Sequence, residues 1–155
     1  MSRYADRTEV SSDRSRTEIE KTLRRYRATA FAYGWDAAAA TVMFEIAHRR
    51  VLFRLPMPNR NDREFTHTPS RGYRRSEASI DEAYEQGVRQ RWRALALVIK
   101  AKLEAVEAGI TTVEQEFLAH IVMPDGRTVG EHTLPRIAEA YETGRMLALL
   151  PGGER

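Results

Sequence analysis

Ser79–Ile110 reads SIDEAYEQGVRQRWRALALVIKAKLEAVEAGI. Its apolar residues Ile80, Tyr84, Val88, Trp92, Leu95, Ile99, Leu103, Val106 and Ile110 return every three or four positions, which lays one continuous stripe along a helix. Ser79, with Glu82 three residues on, has the form of a capping box, each side chain satisfying a backbone N–H of the first turn. Gly109 suits a left-handed stop, and Ile110 supplies the apolar contact that accompanies one. At about 1.5 Å per residue the helix is about 45 Å long, more than a small domain is wide. Other elements must therefore pack along it.

The charges on this helix are unevenly placed. No acid stands between Glu85 and Glu104, whereas Arg89, Arg91, Arg93, Lys100 and Lys102 all do. At about 100° per residue, Arg89, Arg93 and Lys100 form one ridge beside the stripe, and Arg91 and Lys102 border its other edge. Two readings are open. The arginines cover apolar surface with their stems on a solvated helix, or they form a contact surface for an anion.

A chain of 155 residues with 42% hydrophobic and 30% charged residues is one globular domain with a core of ordinary size. The absence of cysteine excludes a disulfide scaffold, a thiol nucleophile and a cysteine-based metal site. No run approaches the roughly 18 apolar residues of a membrane span, and MSRYADRTEV has no signal-peptide core. The expectation is a soluble, cytoplasmic protein with no membrane partner.

Net charge is only +3, but it is segregated. Met1–Lys102 holds 21 basic and 13 acidic residues, a surplus of +8, and Leu103–Arg155 holds 4 basic and 9 acidic, a balance of −5. The chain is arginine-rich: Lys21, Lys100 and Lys102 are its only lysines. Arginine forms bidentate contacts with phosphate and stacks on bases. A GC-rich genome also favours arginine and alanine, so this bias alone decides nothing.

Along the chain, residues 1–14 are polar and without periodicity, which predicts a flexible arm. Ser15 with Glu18 predicts a helix start, and Ile19, Leu23 and Tyr26 its buried side. Lys21, Arg24, Arg25 and Arg27 crowd its last turns, where cations suit the helix dipole. Three segments then alternate with period two: Ala30–Trp35, Thr41–Ala47 and Arg50–Met57. That pattern predicts an antiparallel meander with one buried face, ended by Pro56 and Pro58. Phe31, Tyr33 and Trp35 fall on the face of the following valines and phenylalanines; they are core, or a row on which bases stack.

Residues 58–78, PNRNDREFTHTPSRGYRRSEA, read as a long loop, ordered or not. Arg60, Arg63, Arg71, Arg74 and Arg75 are interleaved there with Phe65, His67 and Tyr73, a mixture that suits phosphate contact and base stacking or plain solvation. After the long helix, Thr112 with Gln115 caps a short one. His120–Met123 and Arg127–Gly130 form a small hairpin about Pro124-Asp125-Gly126. Thr133-Leu134-Pro135 opens a final helix that Gly144 closes. Met146, Leu147, Leu149 and Leu150 make an apolar tail that folds back or docks on a partner, and residues 151–155 trail from a single 15–150 domain.

The blocks SRYADRTEVSSDRSRTEIEKTL, LPMP, EFTHTP, RQRWRALALVIKAKLEAVEAGI and EFLAHIVMPDG together resemble small uncharacterised proteins of phages, prophages and environmental bacteria, up to about Pro151. In that group glycine stands where this chain has Arg27, so the resemblance implies the loss of a helix stop here. It implies a phage-like setting and carries no catalytic residue.

No glycine-rich phosphate loop, nucleophile elbow or HExxH motif occurs. His120 and His132 bracket the hairpin, with Glu116 and Glu131 nearby, but isolated histidines more often pack or cap than bind metal. Neither catalysis, a metal nor a cofactor is expected. The reading is an α+β domain: a small antiparallel sheet packed against one long helix, with flanking helices and a C-terminal hairpin. The expected function is non-catalytic binding of nucleic acid, above all DNA and single-stranded DNA in particular, in phage-like replication or recombination. Its contacts would be Arg60, Arg63, Arg71, Tyr73, Arg74, Arg75, Arg89, Arg91, Arg93 and Lys100. The alternative is a protein–protein adaptor acting through the acidic C-terminal third and the apolar tail, by a partner or by self-association.

Overall fold

The structure is a computed structural model that describes residues 3–152, with side chains from Ser12 onward. In chain order the elements are α1 (Arg3–Arg25), β1 (Ala30–Trp35), β2 (Ala39–Ile46), β3 (Arg49–Pro56), α2 (Arg63–Thr66), α3 (Glu77–Glu107), α4 (Val113–Glu116), a 3-10 turn (Leu118–His120) and α5 (Val129–Thr143). The class is α+β: one antiparallel sheet in the order β1-β2-β3, the long helix α3, and flanking helices.

The α3 stripe is the spine of the core. Ile80, Val88, Trp92, Ile99 and Leu103 are all at most 2% exposed, and Tyr84 and Val106 pack half-buried beside them. The sheet faces this stripe with Val42, Phe44, Ile46, Val51 and Phe53, and α1 adds Ile19 and Leu23. Tyr33 meets Trp92 with ring centroids 5.4 Å apart, and Phe117 stands edge-on to both Phe44 and Phe53. Of the β1 aromatics, Phe31 and Tyr33 pack on this core, while Trp35 is 61% exposed.

Several boundaries differ from those expected. The first helix begins at Arg3 rather than Ser15, so the stretch expected as a flexible arm is helical from there, and the Ser15–Glu18 pair lies inside the helix. α3 is capped by Ser76, whose hydroxyl accepts from the Ser79 N–H, not by Ser79. Its other end follows expectation: Gly109 takes φ 74°, its N–H bonds the Val106 carbonyl, and the Ile110 N–H bonds that of Ala105. The Ile110 side chain is nevertheless 80% exposed.

Residues 58–78 are not structureless. α2 forms within them, His67 bridges Arg74, and Phe65 is only 4% exposed, lodged against Gly87 and edge-on to Tyr84. The β2–β3 hairpin turns on two residues, Ala47 and His48, both at positive φ (48° and 60°), as the twist of a tight hairpin requires. The expected C-terminal hairpin shrinks to a Val122–Thr128 bridge, because His120 belongs to the 3-10 turn and Ile121 bridges Val51 of β3. α5 starts at Val129, four residues before Thr133, under a complete Thr128–Glu131 capping box, and Pro135 lies inside it.

Candidate nucleic-acid interface

α1 and α3 pack side by side along a shallow groove of about 570 Å³. Arg14, Ser15 and Glu18 line it from α1, and Gln86, Arg89, Gln90 and Arg93 from α3. The 3.6-residue repeat dictates this. Arg89 and Arg93 sit one turn apart on the flank of α3 that turns toward α1, just outside the buried stripe. Among the described residues no carboxylate forms an ion pair with Arg14, Arg89 or Arg93. Among the described residues, three guanidinium groups thus share the groove with one carboxylate, that of Glu18. Lys100 continues the Arg93 ridge two turns along α3, exposed and outside the groove.

The loop arginines lie on the other flank of α3. Gly87, which receives Phe65, and Arg91 point away from the α1 side, and there charges cancel. Arg60 donates from Nε to Asp81 and from Nη2 to Glu77, both at 2.7 Å. Arg91 pairs with Glu64 at 3.5 Å, and Arg74 approaches Glu77 at 3.9 Å. The Arg60 bonds tie the loop to the start of α3, a structural use of that residue. Arg63 packs beside Gly72, with Nη2 3.3 Å from where a Cβ on that glycine would stand. Arg71 and Tyr73 are exposed, Tyr73 by 64%. Arg75 has its Nε buried without a hydrogen-bond partner among the described residues.

The ten sequence-derived contacts therefore do not form one patch. Arg89, Arg93 and Lys100 share one flank; Arg60, Arg63, Arg91 and the loop residues share the other. The groove also contains Arg14, which sequence periodicity missed because its stretch reads as an arm. One signal could have found it: residues 1–26 contain neither glycine nor proline, so nothing breaks a helix running through Arg14.

At the other end of α3 a second depression, of about 620 Å³, opens between Arg25, Arg27, His48 and Glu107 over Leu103 and Val113. The other histidines considered for metal are engaged locally. His120 stacks on Phe53 at 4.0 Å, and burial pushes its pKa below the ordinary value. His132 Nε2 meets Asp125 Oδ2 at 2.7 Å. Among the described residues no three His, Asp or Glu side chains converge to hold a metal, and no helix is long and apolar enough to cross a membrane.

What fold and groove define is an α+β domain with an arginine-lined cleft between two helices. No family model, curated protein or solved structure matches this chain.

Proposed function

We propose that this protein is a non-catalytic nucleic-acid-binding accessory protein whose phosphate contacts centre on Arg14, Arg89 and Arg93. One observation carries the reading: among the described residues these three arginines have no ion pair and face one groove with a single carboxylate. Guanidinium groups are weakly hydrated and fork toward phosphate oxygens, so such a groove follows a phosphodiester backbone better than it holds a neutral ligand. The +8 surplus over Met1–Lys102 adds a long-range field that draws in polyanions. DNA is the ligand of choice, single-stranded DNA in particular, since exposed Tyr73 and Trp35 offer rings for unstacked bases. A role in phage-like replication or recombination rests on the sequence resemblance alone.

The test is a binding titration of single-stranded DNA, duplex DNA and RNA, each repeated over a range of salt. Affinity should fall linearly in log–log form. Replacing Arg14, Arg89 and Arg93 with alanine should flatten the slope by about 0.7–0.9 for each phosphate no longer neutralised. The melting temperature should barely move, because Arg14, Arg89 and Arg93 are exposed. No binding to any of the three at about 50 mM salt would sink the proposal. A triple variant with the wild-type slope would move the phosphate site away from the groove.

A further inference from the structure

Three residues other than glycine stand at positive φ among those described: Arg27 (66°), Ala47 (48°) and His48 (60°). All three line the second depression, at the end of α3 beyond the groove. The backbone has a local reason for each. Arg27 follows the last turn of α1, and Ala47 with His48 makes the two-residue turn between β2 and β3, whose ends pair as Ile46 with Arg49. The residue types have no such reason. Glycine meets both backbone demands without strain, whereas a Cβ there crowds the neighbouring carbonyl. At Arg27 and His48 a polar side chain is thus kept where backbone stability favours its removal. Strain of this kind gathers where a ligand is held.

The depression has a floor and a rim of different chemistry. Ile46, Leu103 and Val113 are buried beneath it, and Tyr26 and Val106 flank them half-buried. Its volume of about 620 Å³ suits a small molecule. Around the rim, Arg25, Arg27 and His48 stand against one carboxylate among the described residues, that of Glu107. Glu107 is already engaged: the Tyr26 hydroxyl donates to it, and desolvation, then that negative charge, raises the pKa of the phenol. No carboxylate forms an ion pair with Arg25 or Arg27 among the described residues. The Arg25 guanidinium lies 5.6 Å from the centre of the Tyr26 ring, at the edge of the floor. An apolar floor thus lies under a rim of donors whose charge nothing local offsets.

We infer that this depression binds a small amphipathic anion, with an oxyanion head, carboxylate or phosphate, on a compact apolar or aromatic body. The body covers Leu103, Val113 and the Tyr26 ring. The head meets the guanidinium groups of Arg25 and Arg27 and the imidazole of His48. A neutral apolar ligand leaves the rim unused, and a bare hydrated anion leaves the floor wet. Leu103 stands about 15 Å along α3 from Arg93, so the site is separate from the groove and independent of the nucleic-acid reading.

The probe is the dye anilinonaphthalene sulfonate, followed by fluorescence on the full chain, with phenylnaphthylamine as the same body without the sulfonate. The sulfonate should bind at least about tenfold more tightly than the neutral dye, as a charge-assisted contact implies. Arg27→Gly and His48→Gly should each weaken sulfonate binding by about tenfold. Both should leave the neutral dye unaffected and raise the melting temperature, because the left-handed backbone is relieved. A more stable fold with a weaker site separates lost contacts from lost structure. Arg89→Ala with Arg93→Ala should bind the sulfonate as the wild type does. Benzoate or phenyl phosphate should displace it, the better competitor naming the head, whereas benzyl alcohol should not. No binding of the sulfonate, equal affinity for the two dyes, or wild-type affinity in Arg27→Gly with His48→Gly overturns the inference. Lost affinity in the groove variant, or displacement by benzyl alcohol, overturns it equally.

Discussion

Arg27 takes φ 66° one residue beyond the C-cap of α1, in the left-handed region where a Cβ crowds the backbone. The stop it makes is complete: its N–H bonds the Arg24 carbonyl, and the Ala28 N–H reaches back to Leu23. The helix stop expected to be lost with glycine is therefore kept, at the cost of local strain. Arg27→Gly should raise stability by roughly 0.5–1 kcal/mol, the relief of strain exceeding the extra freedom of the unfolded chain. Gly109→Ala, at φ 74° with open space around the new methyl, should act in the opposite direction by a similar amount. Paired thermal melts compare the two signs. His120 supplies a pH prediction. Burial against Phe53 depresses its folded pKa below the unfolded value of about 6.5. The native state thus binds fewer protons, so this stabilisation is present above about pH 6.5 and lost as pH falls through the folded pKa. Asp36 and Asp125 are held below the usual carboxylate range mainly by backbone N–H donors and act only at lower pH. Between pH 7 and pH 5, the denaturation midpoint of the wild type should therefore fall more steeply than that of His120→Gln. Parallel slopes would contradict this.

At the scale of elements, the attachment of the 58–76 segment to α3 is the contact that sequence periodicity could not foresee. Gly87 interrupts no helix; it leaves room for a ring. A Cβ at 87 would stand 2.7 Å from Phe65 Cε1 and 2.9 Å from Cζ, and Phe65, 4% exposed with Tyr84 edge-on, has little space to retreat. Alanine ordinarily gains about 1 kcal/mol over glycine inside a helix. Gly87→Ala should instead destabilise by about 1–2 kcal/mol, since overpacking a filled site costs about 1–3 kcal/mol. Proteolysis between Pro58 and Ser76 should accelerate in the same variant. A more stable variant with unchanged cleavage would show that Phe65 moves freely.

Over the whole molecule, the charge surplus of the first 102 residues is not spread evenly. On the loop flank Glu64, Glu77 and Asp81 neutralise Arg60, Arg74 and Arg91; on the α1 flank nothing comparable among the described residues meets Arg14, Arg89 and Arg93. Arg60→Ala with Arg91→Ala should therefore leave the salt slope of nucleic-acid binding near wild type, in contrast to the groove variant. A slope flattened by about 1–2 would place phosphates on the loop flank instead. The sequence by itself determined the α3 stripe, the buried faces of β2 and β3, the Thr112–Gln115 cap and the left-handed Gly109, because each follows from a period of 3.6 or 2 or from a local backbone preference. It also determined that arginine dominates the positive charge. Only the tertiary structure decided which arginines find a carboxylate. Glu77 and Asp81 reach Arg60 across a turn of chain, and Arg14 reaches the groove only because α1 lies along α3. Likewise, only packing showed that Leu134, Ile137 and Tyr141 are left to solvent. A helix's apolar side is written in its sequence, but whether another element covers it depends on where the rest of the chain goes.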